Sequence, residues 1–260
     1  MKNGFALLLK NKYILIQGQA MSLDFEAYLS HLNKIITMKS FYNTFTSSLG
    51  RKFTMALSGL FLISFLLVHM SVNALIFYND GGATFTIGAH FMATNPVIRT
   101  LEIVLIVGFV LHIVQGLLLW KKNRDARPIK YAYPLATPKI KWYSKSMTLL
   151  GTLLLLFLVI HTSNFWIPNR IHQFRYDEEL PLYEMMLEKF SNPLEVLVYL
   201  FGCVSLFWHL LHGFTSAFTS LGLSHRRYNR FIKWMGTSFS VIVPLVLFLM
   251  PLSIYFKWIN

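Results

Sequence analysis

The sequence predicts an all-α membrane protein of five spanning helices, the first four forming a bundle around inward-facing histidines. Three observations predict it. Five apolar runs are each long enough to cross a bilayer, the basic residues fall between those runs, and each of the first four runs carries a histidine. Composition agrees: 55% of the 260 residues are hydrophobic and 13% charged, about half the charged share of an ordinary soluble domain. Mean hydropathy is +0.50.

A bilayer core of roughly 30 Å needs about 20 apolar residues at a rise of 1.5 Å each. The first run, Phe53–Tyr78, has no charge. The second, Thr100–Trp120, is interrupted only by Glu102. The third is Met147–Asn169 and the fourth Glu195–Ser224. The fifth, Trp234–Phe256, contains Pro244, which predicts a kink. Residues 48–260 therefore form the membrane domain. Residues 1–47 read as a cytoplasmic extension, partly disordered or preceding the true start. Its apolar stretch Lys2–Ile16 is broken by Lys10 and Lys12 and is too short to span, and Met21 and Met38 are alternative starts.

Charge sets the orientation. Seven Lys/Arg precede span one, eight lie between Lys121 and Lys145, and Arg226, Arg227, Arg230 and Lys233 follow span four. On the opposite side Arg99 and Lys257 stand alone, and Arg170, Arg175 and Lys189 are outnumbered by Asp177, Glu178, Glu179, Glu184 and Glu188. The positive-inside rule puts the N-terminus inside and the C-terminus outside, in a multi-pass protein of the cytoplasmic membrane. The net charge of +13 is thereby a matter of topology, and no nucleic-acid partner is implied.

Of nine histidines, His31, His90, His172 and His225 fall outside the spans, whereas His69, His112, His161, His209 and His212 fall within them. Ionisable groups in hydrocarbon are costly and usually functional. With alternating helix direction, His69 and His161 share an outer level and His112 and His209 an inner one, roughly 12 Å apart by helical rise. Two layers of paired imidazoles suit two stacked bis-histidine haems, held without covalent attachment because the single cysteine, Cys203, cannot form a C-x-x-C-H motif. Two strong axial ligands suit electron transfer rather than oxygen binding. A proton relay or another metal site is the alternative for these residues. A weak repeat accompanies them: Gly59 and Gly151 precede His69 and His161 by ten residues, and Gly116 and Gly213 follow His112 and His209 by four. It favours His209 over His212 as the ligand of span four. Glycine beside a ligand leaves room for a flat macrocycle, or simply for close helix packing.

The run Gly59-Leu-Phe-Leu-Ile-Ser-Phe-Leu-Leu-Val-His69-Met-Ser-Val-Asn73 resembles the first haem helix of the cytochrome b subunit of succinate dehydrogenase and fumarate reductase. So do Ala89-His-Phe-Met92, Leu101-Glu-Ile103, Leu111-His112-x-x-x-Gly116, His161 and Phe207-Trp-His209-x-x-x-Gly213. The likeness covers residues 48–256 and is to the single-chain, five-helix, two-haem type. It implies two haem b groups, a proximal one on His112 and His209 and a distal one on His69 and His161. It also implies flavoprotein and iron–sulfur partner subunits on the cytoplasmic side and exchange of electrons with quinone, usually menaquinone, near the distal haem. Such a chain is an electron-transfer subunit with no dicarboxylate chemistry of its own. The extra histidine, His212, departs from the family pattern.

Glu102 and His90 are the quinone-site candidates, Glu102 equally readable as an interfacial carboxylate. Glu195 reads as interfacial, Cys203 as packing, and Arg51, Lys52, Trp142 and Lys145 as anchors at the inner boundary. Two rivals stand beside this reading: the di-haem anchor of another quinone-linked dehydrogenase, and a non-haem proton-conducting protein.

Overall fold

The computed structural model describes residues 28–32, 47–126 and 142–259. The rest of the 1–47 extension, including both alternative starts, lies outside the described residues, as does most of the basic connection between spans two and three. Packing divides the chain into Met1–Gly50 and Arg51–Asn260. In the first unit the described residues are a helical turn at 28–32 and the start of the first long helix, whose Gly50 N–H donates to Ser47 Oγ at 3.0 Å, a hydroxyl cap at the helix start.

The described residues of the second unit form helices and their short connections, with no strand. Helix α1 (Ser48–Asn73) tightens into a 3-10 turn, Ala74–Tyr78, and stops at Asn79 in the left-handed region. Helix α2 (Ala83–Thr94) is short; α3 (Pro96–Asp125) is the second span. A single turn, α4 (Trp142–Lys145), precedes α5 (Met147–His161). A π turn, Thr162–Trp166, leads from α5 into α6 (Ile167–Tyr176). Helices α7 (Leu182–Phe190), α8 (Pro193–Ser220) and α9 (Asn229–Tyr255) complete the chain. Five helical stretches, of 30, 30, 30, 28 and 27 residues, are long and apolar enough to cross a membrane.

Local chemistry explains the boundaries. Spans two and four both begin with Asn-Pro. Asn95 Oδ1 accepts from Val97 N–H and Ile98 N–H, and Asn192 Oδ1 accepts from Leu194 N–H, while proline takes the first helical position, where no N–H is needed. Asp80 holds the start of α2 by accepting from Thr84 N–H at 3.0 Å and Thr84 Oγ1 at 2.5 Å. The hydroxyl bond from Thr84 holds the Asp80 carboxyl below the usual carboxylate range. Within the spans, Ser64, Ser71, Thr152, Thr162, Ser240 and Ser253 each donate to a carbonyl about one turn back. Hydroxyls satisfied on their own helix can face hydrocarbon without unpaired donors.

Packing is uneven. Spans four and five bury several times more of their length than the first three, and α8 and α9 are the most intimate pair. Gly236 makes that closeness possible, since a Cβ there would lie 2.7 Å from the Phe214 ring. The main buried cluster lies at one end: Ile76, Phe85, Tyr183, Met186, Phe190, Val196, Tyr199, Met250, Ile254 and Ile259. There α2, α7 and the 3-10 turn close over the ends of the spans. This is the capped end; the opposite one, bearing Lys121, Lys122, Arg226 and Arg227, is the basic end. The stretches between spans one and two and between spans three and four, read from sequence as loops, are thus largely helical.

Candidate functional site

Four spans deliver one histidine each to the interior: His69 on α1, His112 on α3, His161 on α5 and His209 on α8. They meet in two pairs. The His69 and His161 rings are centred 5.7 Å apart and nearly perpendicular at 88°; those of His112 and His209 are 6.3 Å apart at 68°. Two imidazoles bound to one metal by nitrogen bonds of about 2 Å each place their ring centres about 6 Å apart. Both pairs have that separation. Among the described residues no group of three or more His, Cys, Asp or Glu converges on a metal-sized point, so each donor set is two imidazoles. Such a set suits a metal whose other positions are filled by its own macrocycle.

Ser58 Oγ donates its proton to Met55 O at 3.1 Å and lies 3.3 Å from His112 Nδ1. With that proton on Met55 O, the contact suits a His112 Nδ1–H donating to Ser58, which would leave the lone pair on Nε2, the state a metal ligand requires. At the other pair, Asn73 Nδ2 donates to His69 O at 2.8 Å and lies 3.5 Å from His69 Nδ1. Nδ1 of His161 and of His209 is buried without a hydrogen-bond partner among the described residues.

The glycines serve the pairs crosswise. A Cβ on Gly59 would lie 3.3 Å from His112 Cε1, and one on Gly151 3.9 Å from His209 Cε1. Thus the glycines ten residues before His69 and His161 flank the other pair, and both α1 and α5 put the two levels about 15 Å apart by helical rise, slightly more than expected from sequence. Gly116 faces Met55, and Gly213 meets no neighbour. Glycine-lined ring edges and the ring separations fit a flat, iron-centred group between each pair.

Aromatic rings wall the capped-end pair. Phe65 stacks on His69 at 5.4 Å; Phe157 stacks on His161 at 5.7 Å. A Cβ on Gly202 would fall 2.6 Å from the Phe157 ring. Gly202→Ala is therefore expected to push Phe157 toward His161 and to destabilise the protein by about 1–3 kcal/mol, read as earlier thermal unfolding in detergent. His212 stands apart, beside the Tyr143 ring in a cluster with Trp142 and Trp208 at the basic end.

Glu102 is the hub of an ion-pair cluster. Arg170 grips its carboxylate with two donors, Nε to Oε1 at 2.7 Å and Nη2 to Oε2 at 2.8 Å; Arg99 Nη1 donates to Oε2 at 2.8 Å and Trp166 Nε1 to Oε1 at 2.6 Å. Gln173 accepts from the remaining Arg170 nitrogen. His90 lies on α2, not in a loop, exposed and bonded through Nδ1 to Glu179 Oε1 at 3.0 Å. It lines a cleft of about 1190 Å³ at the capped end together with Arg99, Trp166, Arg170 and Tyr183. Glu102 lines a smaller recess between Arg99, Thr100, Ile103 and Ile106. The two candidates therefore face different hollows, joined by Arg99, which lines both.

Sequence reasoning missed Arg170 and Trp166. Arg170 was read as a loop charge, and Trp166 reaches Glu102 through a π turn that no residue pattern announced. Glu195, read as interfacial, is half-buried and accepts from Asn164. No protein-family model, curated protein or solved structure matches this chain.

Proposed function

We propose that this chain is the cytochrome b membrane anchor of a quinone-linked oxidoreductase of the succinate dehydrogenase and fumarate reductase type. The observation that carries the proposal is the meeting of four histidines from four spans as two ring pairs, each with the centre-to-centre separation of two ligands on one metal. In this reading α1, α3, α5 and α8 form the four-helix haem bundle. His112 and His209 hold the proximal haem b, His69 and His161 the distal one. Bound there, the haems supply one-electron transfer across the membrane interior. The protein sets the Ser58 hydroxyl beside His112 Nδ1, lines the ring edges with Gly59 and Gly151, and seals the distal pair under the buried cluster of the capped end.

In this reading the basic end, with its excess of Lys and Arg, faces the cytoplasm. There it would receive an iron–sulfur subunit and, through it, a flavoprotein. Quinone, with menaquinone the first choice, would exchange electrons at the capped end. The recess beside Glu102 and Arg99 borders on apolar Ile103 and Ile106, a setting in which a lipid-borne ring can reach charged hydrogen-bonding groups. Glu102 itself is committed to Arg170, so a proton passing there must compete with a bidentate ion pair.

The test is a reduced-minus-oxidised visible spectrum of the purified chain with haem quantitation. Two haems per chain are expected, with the sharp bands of six-coordinate b-type haem. A colourless protein would overturn the proposal.

A further inference from the structure

No hydrogen bond among the described residues fixes the His161 ring through Nδ1. The ring is instead held by aromatic walls: Phe157 stacks on it at 21°, Phe165 lies 5.9 Å away, and Tyr199 meets it edge-on at 5.8 Å and 67°. Phe157 and Phe165 sit four residues before and after His161 on the same helical span, which places them. Tyr199 comes from α8 and is secured from outside. Its hydroxyl accepts from Asn164 Nδ2 at 3.3 Å, and the same nitrogen donates to Glu195 Oε2 at 3.1 Å. A carboxylate only accepts, so the amide nitrogen, not its oxygen, faces this junction.

Asn164 is the central residue of the π turn Thr162–Trp166, which begins directly after His161. Single π turns inside α-helices occur frequently at functional sites. Here the turn carries a polar side chain from one span to two acceptors on another, next to an imidazole whose ring plane is otherwise set only by contact. Polar side chains within a membrane span are costly, and a buried Tyr199 joined to half-buried Asn164 and Glu195 beside one histidine does more than pack.

The geometry points to Asn164 and Tyr199 as positioning residues for His161. The Glu195–Asn164–Tyr199 link fixes the plane of the His161 imidazole and so the nearly perpendicular setting of the His69–His161 pair, which is 20° more open than that of the other pair (88° against 68°). The inference rests on the two-haem reading above and deepens it. The angle between two axial imidazole planes governs the splitting of the iron d orbitals. The ferric low-spin EPR signal of the haem at the capped end therefore reports the ring plane, while haem content reports the two-haem reading itself.

The experiment uses the full chain purified in detergent with its own haem, the two EPR signals being assigned by their loss in His161→Ala and His112→Ala. Asn164→Leu and Glu195→Leu are expected to keep full haem content. They should change the anisotropy and midpoint potential of the signal that His161→Ala removes, and leave the other in place. Glu195→Gln, whose amide oxygen still accepts from Asn164, should restore the unmodified signal. Tyr199→Phe keeps the ring but not the acceptor, so it reads the link even where Asn164→Leu loses haem, and a shifted capped-end signal is expected. Full haem content with both signals unmoved, or both moved alike, would overturn the positioning role. Absence of haem from the unmodified chain would overturn the two-haem reading instead.

Discussion

If each histidine pair holds a haem as proposed, replacing His112 with alanine is expected to cut the haem bound per chain to about half and to leave the capped-end haem in place. The loss follows from the donor count: each site has two imidazoles, and no third His, Cys, Asp or Glu converges on either among the described residues. With one ligand gone, a group held there would have only His209 to bind it, and without covalent attachment it would lose much of its hold. Ser58 cannot substitute, since its proton is committed to Met55 O and its oxygen sits at Nδ1, on the side of the ring away from a metal on Nε2. The other pair lies about 15 Å away along α1 and α5 and is walled by its own aromatic residues. His161→Ala is the mirror experiment and should remove the capped-end haem alone. His212→Ala should remove neither, because His212 meets Tyr143 rather than His112. Haem quantitation of the three variants by pyridine haemochrome decides the pairing. Retention of both haems in His112→Ala would refute it.

The two levels were legible in the sequence because they rest on a fixed quantity, the helical rise, and on the alternating direction of successive spans. Those two inputs alone bring His69 opposite His161 and His112 opposite His209, and these are the rings that meet. The cap was not legible. Hydropathy marks the end of a span at its first charge, yet a helix continues as long as that charge finds a partner. Hydropathy ends span three at Asn169, but Arg170 is paired with Glu102 and the helix runs on to Tyr176. The π turn was equally hidden, since nothing in Thr-Ser-Asn-Phe-Trp distinguishes a wide turn from an ordinary one. With it were lost Trp166, Arg170 and Asn164, the residues that tie span three to spans two and four.

The Arg170–Glu102 pair should be the most costly single contact to break at the capped end. Its side chains are only about a fifth exposed, 20% and 17%, and it is bidentate, the strong geometry for arginine with a carboxylate. Removing one partner of a fully buried pair costs about 3–5 kcal/mol, because the other charge is left unpaired. Arg99 and Trp166 still reach Glu102 when Arg170 is gone, so Arg170→Ala is expected to cost about 2–4 kcal/mol. Glu102→Gln should cost less. Arginine can extend its long side chain toward the membrane surface, while a glutamate one turn and a half into a span cannot. The double variant should then be more stable than Arg170→Ala alone, because the stranded charge is gone with its partner. The reading is a thermal or denaturant unfolding curve in detergent for the two single variants and the double. If the two costs simply add, Glu102 and Arg170 act independently and the clasp between spans two and three is not what holds this end together.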